Sequence, residues 1–111
     1  MATLAAITID CNDATRLALF WAAALDGYMT DETNHMLKPT AVGPVIYFQE
    51  VPEPKSVKNR VHIDIATKDP KGDIFRLERL GAKVQQEVEE GGHQWVVMND
   101  PEGNEFCVIV A

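Results

Sequence analysis

The sequence predicts an α+β fold assembled from two similar halves. Three observations carry this expectation. An alternating segment that ends at an acidic residue occurs twice, each copy runs into an amphipathic helix followed by a glycine, and three strand-like segments follow the second helix.

The repeat pairs Ala6-Ile7-Thr8-Ile9-Asp10-Cys11-Asn12-Asp13 with His62-Ile63-Asp64-Ile65-Ala66-Thr67-Lys68-Asp69. Each copy alternates apolar and polar residues, the period of a half-buried strand, and closes on a residue that caps helices. Asp13 is expected to cap a first helix in which Leu17, Phe20, Trp21, Ala24 and Leu25 form one buried stripe, with Gly27 as its left-handed stop. Asp69 is expected to cap a second, in which Pro70 suits the first helical position, Ile74, Leu77 and Leu80 make the stripe, and Gly81 ends it.

Beyond Gly81, Val84, Gln86 and Val88 alternate with Lys83, Gln85 and Glu87, and a turn at Glu90-Gly91-Gly92 leads into His93 to Asn99, which reads as a hairpin. Asp100-Pro101-Glu102-Gly103-Asn104 is a further turn, and Glu105 to Val110 a last strand. A ferredoxin-like fold is the main rival, but it places one strand after its second helix, not three. In the first half Val45 to Val51 is a clear strand, whereas Tyr28 to Leu37 is polar and irregular and suits two weak middle strands. Pro52-Glu53-Pro54-Lys55-Ser56 reads as a stiff connector.

Composition bounds the function. At 111 residues the chain has the length of one domain with one core, and 46 % apolar with 24 % charged residues are the proportions of a globular protein. A formal charge of −7, without a basic cluster, excludes nucleic acid and anionic membranes as natural partners. Met1-Ala2-Thr3-Leu4 lacks the basic start and apolar stretch of a signal peptide, so a cytoplasmic protein with reduced Cys11 and Cys107 is expected.

Val61-His62-Ile63-Asp64-Ile65, the helix ending at Leu80-Gly81-Ala82, and Trp95 to Phe106 with its Asp-Pro-acidic-Gly-Asn turn resemble the second module of glyoxalase-like domains. Ile7-Thr8-Ile9-Asp10 and Leu19-Phe20-Trp21-Ala22-Ala23 are similar to the first module, and 52–60 to the inter-module segment. The resemblance to the glyoxalase/bleomycin-resistance/dioxygenase (vicinal oxygen chelate) superfamily covers nearly the whole chain. It implies one domain of two βαβββ modules, about 1–52 and 60–111 around a connector at 53–59, whose curled mixed sheets form an open cup with the helices outside. It also implies a small organic molecule in the cup and a homodimer.

Strand alternation sorts the residues that face such a cup. Val61, Ile63 and Ile65 are expected on the helix side, leaving Arg60, His62 and Asp64 on the concave side. Ala6, Thr8 and Asp10, Tyr47 and Gln49, and Glu105, Cys107 and Ile109 join them, with Trp95 as an aromatic platform. Thr8, Tyr47, Gln49, Arg60, His62, Trp95 and Cys107 are thus the expected ligand contacts. His62, helped by Asp64 or Glu105, is the candidate acid/base group, with a hydrogen-bonded wall residue as the plainer reading. Cys107 reads more readily as a packed thiol than as a nucleophile, and His35 and His93 read as exposed loop residues.

Metal-dependent members of the superfamily bind a divalent ion through His and Glu on the opening and closing strands of each module. The corresponding positions here are Ala6, Gln49, His62 and Cys107. Alanine has no donor and glutamine a weak one, so no cofactor is expected and a divalent metal is disfavoured, a His62/Cys107/Glu105 set being the remaining route. The sequence therefore points to a small-molecule-binding protein of the bleomycin-resistance type with an incomplete metal site. The alternative is a lyase, isomerase or dioxygenase of the same superfamily, metal-dependent or using His62.

Overall fold

A computed structural model describes residues 1–31 and 35–111. Residues 32–34 of the irregular 28–37 stretch lie outside the described residues. The chain forms two compact units, Met1–Pro54 and Lys55–Ala111, each with one helix and a four-stranded mixed sheet.

In the first unit the alternating segment is β1 (Ala6–Cys11) and leads into α1 (Ala14–Ala24). The Asp13 carboxylate accepts from the Arg16 N–H at 3.1 Å, which is the expected cap. Glu50, on a distant strand, adds an acceptor for the Ala14 N–H at 3.1 Å. The helix ends differently from the expectation: Leu25 is the C-cap in an extended conformation, its N–H bonded to the Trp21 carbonyl. Gly27, with φ of +81°, lies beyond the cap. The two weak strands exist as β2 (Tyr28–Thr30) and β3 (Met36–Pro39), followed by β4 (Val45–Glu50). The sheet order is β1-β4-β3-β2 with β1 and β4 parallel. Its packed face supplies Cys11, Leu37, Ile46 and Phe48 to a core completed by Leu17, Phe20 and Trp21 of α1, all buried.

The second unit repeats this plan as β5 (Ile63–Thr67), α2 (Pro70–Leu80), β6 (Lys83–Glu90), β7 (His93–Asn99) and β8 (Glu105–Val110), in sheet order β5-β8-β7-β6. Again the first and last strands are parallel neighbours. Asp69 caps α2 by accepting the Gly72 N–H at 3.1 Å, and Pro70 opens the helix. Gly81 closes it with φ of +115°, a conformation that strains any side chain. Leu77 of α2 is buried with Met98, Phe106 and Val108 of the sheet.

Three details depart from the expected pattern. β5 begins at Ile63, so Arg60 and Val61 lie in a bend and Val61 is exposed instead of packed on the helix side. His93 is the first residue of β7, not a loop residue. Val84 does not share a face with Gln86 and Val88: the register shifts at Gln85, pairing Val84 with Met98 but Gln86 with Val97. The extra residue of this bulge turns Val84 to the side of the sheet that carries Met98.

The expected connector at 53–59 is divided between the units by side chains. Asn12 Nδ2 donates to the Val51 and Glu53 carbonyls at 2.9 and 3.0 Å. Glu105 holds the Lys55–Asn59 part, so these residues belong with the second unit.

Candidate functional site

The polar candidates of the second unit converge because of strand register. Asp64 and Cys107 are partners on adjacent parallel strands, so their side chains emerge side by side on one face. His62, two residues before Asp64, joins them, and its Nδ1 lies 3.3 Å from an Asp64 carboxylate oxygen. Donor atoms of His62, Asp64 and Cys107 all lie within 4.8 Å of one another. Val97 is the register partner of Cys107, and Trp95 that of Ile109, so one face carries His62, Asp64, Cys107, Val97, Trp95 and Ile109. Ile63, Ile65, Phe106 and Val108 take the opposite side, as alternation requires.

Exposure differs within the trio. His62 and Asp64 keep 44 % and 50 % of their side-chain surface, whereas Cys107 is buried. The Cys107 thiol is pushed above its ordinary pKa by burial, then by the Asp64 charge and by its hydrogen bond to that carboxylate, with Lys58 acting weakly the other way. It is therefore a protonated, poorly nucleophilic thiol at neutral pH, in line with the packed reading. Trp95 is half-buried and borders a shallow cleft lined by Gly92, His93, Gln94, Ile109 and Val110.

Glu105 sits in a different network. It is buried, its Oε1 accepts from Lys55 Nζ and the Asn59 N–H at 3.0 Å each, and its Oε2 faces the same ammonium at 2.9 Å. Burial alone would raise its pKa, but the Lys55 hydrogen bond, the Asn59 N–H and the Lys55 charge outweigh it and hold the carboxyl below the usual range. Asp64, not Glu105, completes the cluster around His62 and Cys107. Nothing in the sequence marked Lys55 or Asn59 as its partners, since both lie some fifty residues away in a segment read as a spacer.

The turn before β8 sets Glu105 and Cys107 in place. Asp100 is buried, and its Oδ1 accepts the Glu102 and Asn104 N–H groups at 2.9 Å, while Oδ2 accepts Asn104 Nδ2 at 3.1 Å. Gly103, at φ of +88°, gives the left-handed step that this closed turn needs.

In the first unit, Thr8 pairs with Tyr47 and Asp10 with Gln49. Thr8 and Gln49 are exposed and Tyr47 is half-buried. Because Asp64 occupies the position of Thr8 in the repeat, Tyr47 is the counterpart of Cys107 and Gln49 lies two residues beyond it. Arg60 is exposed in the bend before β5.

Residues 6–109 match the family described as glyoxalase-like domain. The chain belongs to that family. Solved structures of similar fold include a glyoxalase/bleomycin resistance protein/dioxygenase family enzyme from Burkholderia phytofirmans, 20 % identical with a TM-score of 0.74 over 98 % of each chain. An antibiotic-binding protein from a Streptomyces species is 16 % identical, with a TM-score of 0.67 over 99 % of this chain and 96 % of its own. A fosfomycin resistance protein from Listeria monocytogenes, solved with Mn(II) and a dihydroxypropylphosphonic acid, is 12 % identical, with a TM-score of 0.72 over 97 % and 88 %. Comparison with curated proteins finds no match. At these identities the likeness is one of fold, and the glyoxalase-like domain keeps its function in its own residues. Among the described residues no helix is long and apolar enough to cross a membrane.

Proposed function

We propose that this glyoxalase-like protein binds a small organic molecule in the concave cup expected of its fold, against the open face of the second unit's sheet. The observation that carries the reading is the composition of that face. Trp95, Val97 and Ile109 offer apolar and aromatic surface beside the hydrogen-bonding groups of His62 and Asp64, the mixture that ligand sites use for affinity and orientation. Arg60 at its border suits an anionic substituent; Thr8, Tyr47 and Gln49 are proposed as ligand contacts on the first unit's own sheet. That a structural neighbour is an antibiotic-binding protein supports a binder.

The test is thermal stabilisation across a panel of organic compounds, including cationic ones because of the −7 charge. A specific ligand at a hundredfold excess over its Kd adds about 2.7 kcal/mol, and His62→Ala is expected to remove most of the shift. An undiminished shift in His62→Ala would move the site off this face.

The second reading is an enzyme of lyase, isomerase or dioxygenase type. The 3.3 Å His62–Asp64 contact favours it, because a carboxylate that orients an imidazole is the arrangement of a general base. Turnover of a bound compound, lost in His62→Ala with binding retained, would support catalysis.

We further propose a cytoplasmic homodimer. Among the described residues neither Cys11 nor Cys107 forms a disulfide, which suits a reducing compartment. Large apolar side chains such as Met29, Phe75 and Val84 are exposed, and each sheet ends in open strand edges that pairing would cover. A monomeric mass in light scattering at micromolar concentration would rule the dimer out.

A further inference from the structure

We propose that the second unit alone holds one thiophilic divalent cation of the zinc class, through Cys107 Sγ, an imidazole nitrogen of His62 and a carboxylate oxygen of Asp64. The metal positions that the family resemblance implies span both modules and do not fit an ion here, for Ala6 has no donor and the exposed Gln49 lies two residues past the counterpart of Cys107. The three donors within 4.8 Å are a different set. It includes Asp64, which is outside those positions, and it needs nothing from the first unit.

Fit and selectivity follow from the donors. Asp64 and Cys107 are held side by side by the β5–β8 register, and Asp64 and His62 share a face at a spacing of two. Strand pairing thus sets the positions of Asp64 and Cys107, and His62 immediately precedes β5. Three protein donors leave a fourth tetrahedral position open, the pattern of zinc sites that accept an exogenous ligand. A sulfur, a nitrogen and an oxygen favour zinc, cobalt or cadmium over manganese or magnesium, which prefer all-oxygen sets. The Mn(II) of the fosfomycin resistance protein is therefore not the ion expected here.

The arrangement also has a geometric reason to take a cation, for the Cys107 sulfur and an Asp64 carboxylate oxygen stand side by side across the β5–β8 register, within 4.8 Å of each other. A divalent ion replaces the thiol proton, which leaves to solvent, and bonds to both the sulfur and the carboxylate. The oxidation state of the metal and of the sulfur is unchanged.

The test titrates chelator-treated, full-length protein with Co²⁺ alone, followed by Zn²⁺ as competitor, with no organic compound present. One Co²⁺ per chain is expected, with a sulfur-to-cobalt charge-transfer band that Zn²⁺ removes and that Mn²⁺ does not produce. Cys107→Ser abolishes the band, and Asp64→Asn, at a half-exposed position that leaves the fold intact, weakens Zn²⁺ about tenfold or more. Circular dichroism checks that each variant is folded. Absence of a cobalt spectrum, a band surviving Cys107→Ser, or unchanged Zn²⁺ affinity in Asp64→Asn would each overturn the proposal. The thermal-shift reading of organic ligands is made separately, so either idea fails without the other.

Discussion

At the scale of single residues, the two carboxylates nearest the candidate site do opposite work. Asp64 is half-exposed and available to His62 and Cys107, while Glu105 is buried and committed to Lys55 and Asn59. The Glu105 pair is a stability element. Lys55→Met leaves a buried carboxylate without its cation and is expected to cost about 1–3 kcal/mol in urea denaturation at neutral pH. The pH dependence has a definite sign. A carboxyl whose folded pKa lies below its ordinary value of 4.5 contributes stability that is present above that value and lost as pH falls through the lower, folded pKa. The gap between wild type and Lys55→Met is therefore expected to narrow in acid. A gap that stays constant from neutral pH down through the carboxylate range would show that the lost packing of Lys55, not its charge, sets the cost.

At the scale of elements, the helix starts depend on side chains that close back on the backbone. In α2 a Cβ on Gly72 would clash with the Asp69 carboxylate, so a side chain there displaces the cap. Asp69→Ala is expected to cost about 0.5–2 kcal/mol, as cap removal does, and Gly72→Ala destabilises by displacing the same carboxylate. The double variant is then expected to be less destabilised than the sum of the singles, which a double-mutant cycle in denaturant measures; strict additivity would show that the two residues act separately. Thr67 and Asp73 add a second tie at this end, the Thr67 hydroxyl donating to the Asp73 carboxylate and accepting the Asp69 N–H at 3.0 Å. That hydroxyl bond, opposed by partial burial and helped by Arg76, keeps Asp73 below its ordinary pKa.

At the scale of the whole molecule, charge and repetition dominate. Two units of one plan, each pairing its first and last strands in parallel and the remaining strands antiparallel, make the glyoxalase-like fold. A net charge of −7 on 111 residues repels itself. Screening shortens the reach of that repulsion to about 8 Å near 0.15 M salt. Added sodium chloride is thus expected to raise the melting temperature modestly, and calorimetry at low and moderate salt would detect it. A melting temperature that falls with salt would mean that specific ion pairs such as Lys55–Glu105 outweigh the general repulsion.

The sequence alone determined what depends on neighbours along the chain. The alternation of β1 and β5, the caps at Asp13 and Asp69, the Gly81 stop and the Asp100–Asn104 turn are all interactions within a few residues, and each is present. So were the separation of Trp95 and Cys107 from the helix-side residues and the two-unit repeat. What required tertiary structure was register and distant pairing. The bulge at Gln85 reverses Val84, the start of β5 leaves Val61 exposed, the parallel register sets Asp64 beside Cys107, and the contacts of Glu105 with Lys55 and Asn59 hold that carboxylate in another network. Side-chain alternation states which faces exist along one strand; only the hydrogen bonds between strands decide which residues of two strands stand next to each other.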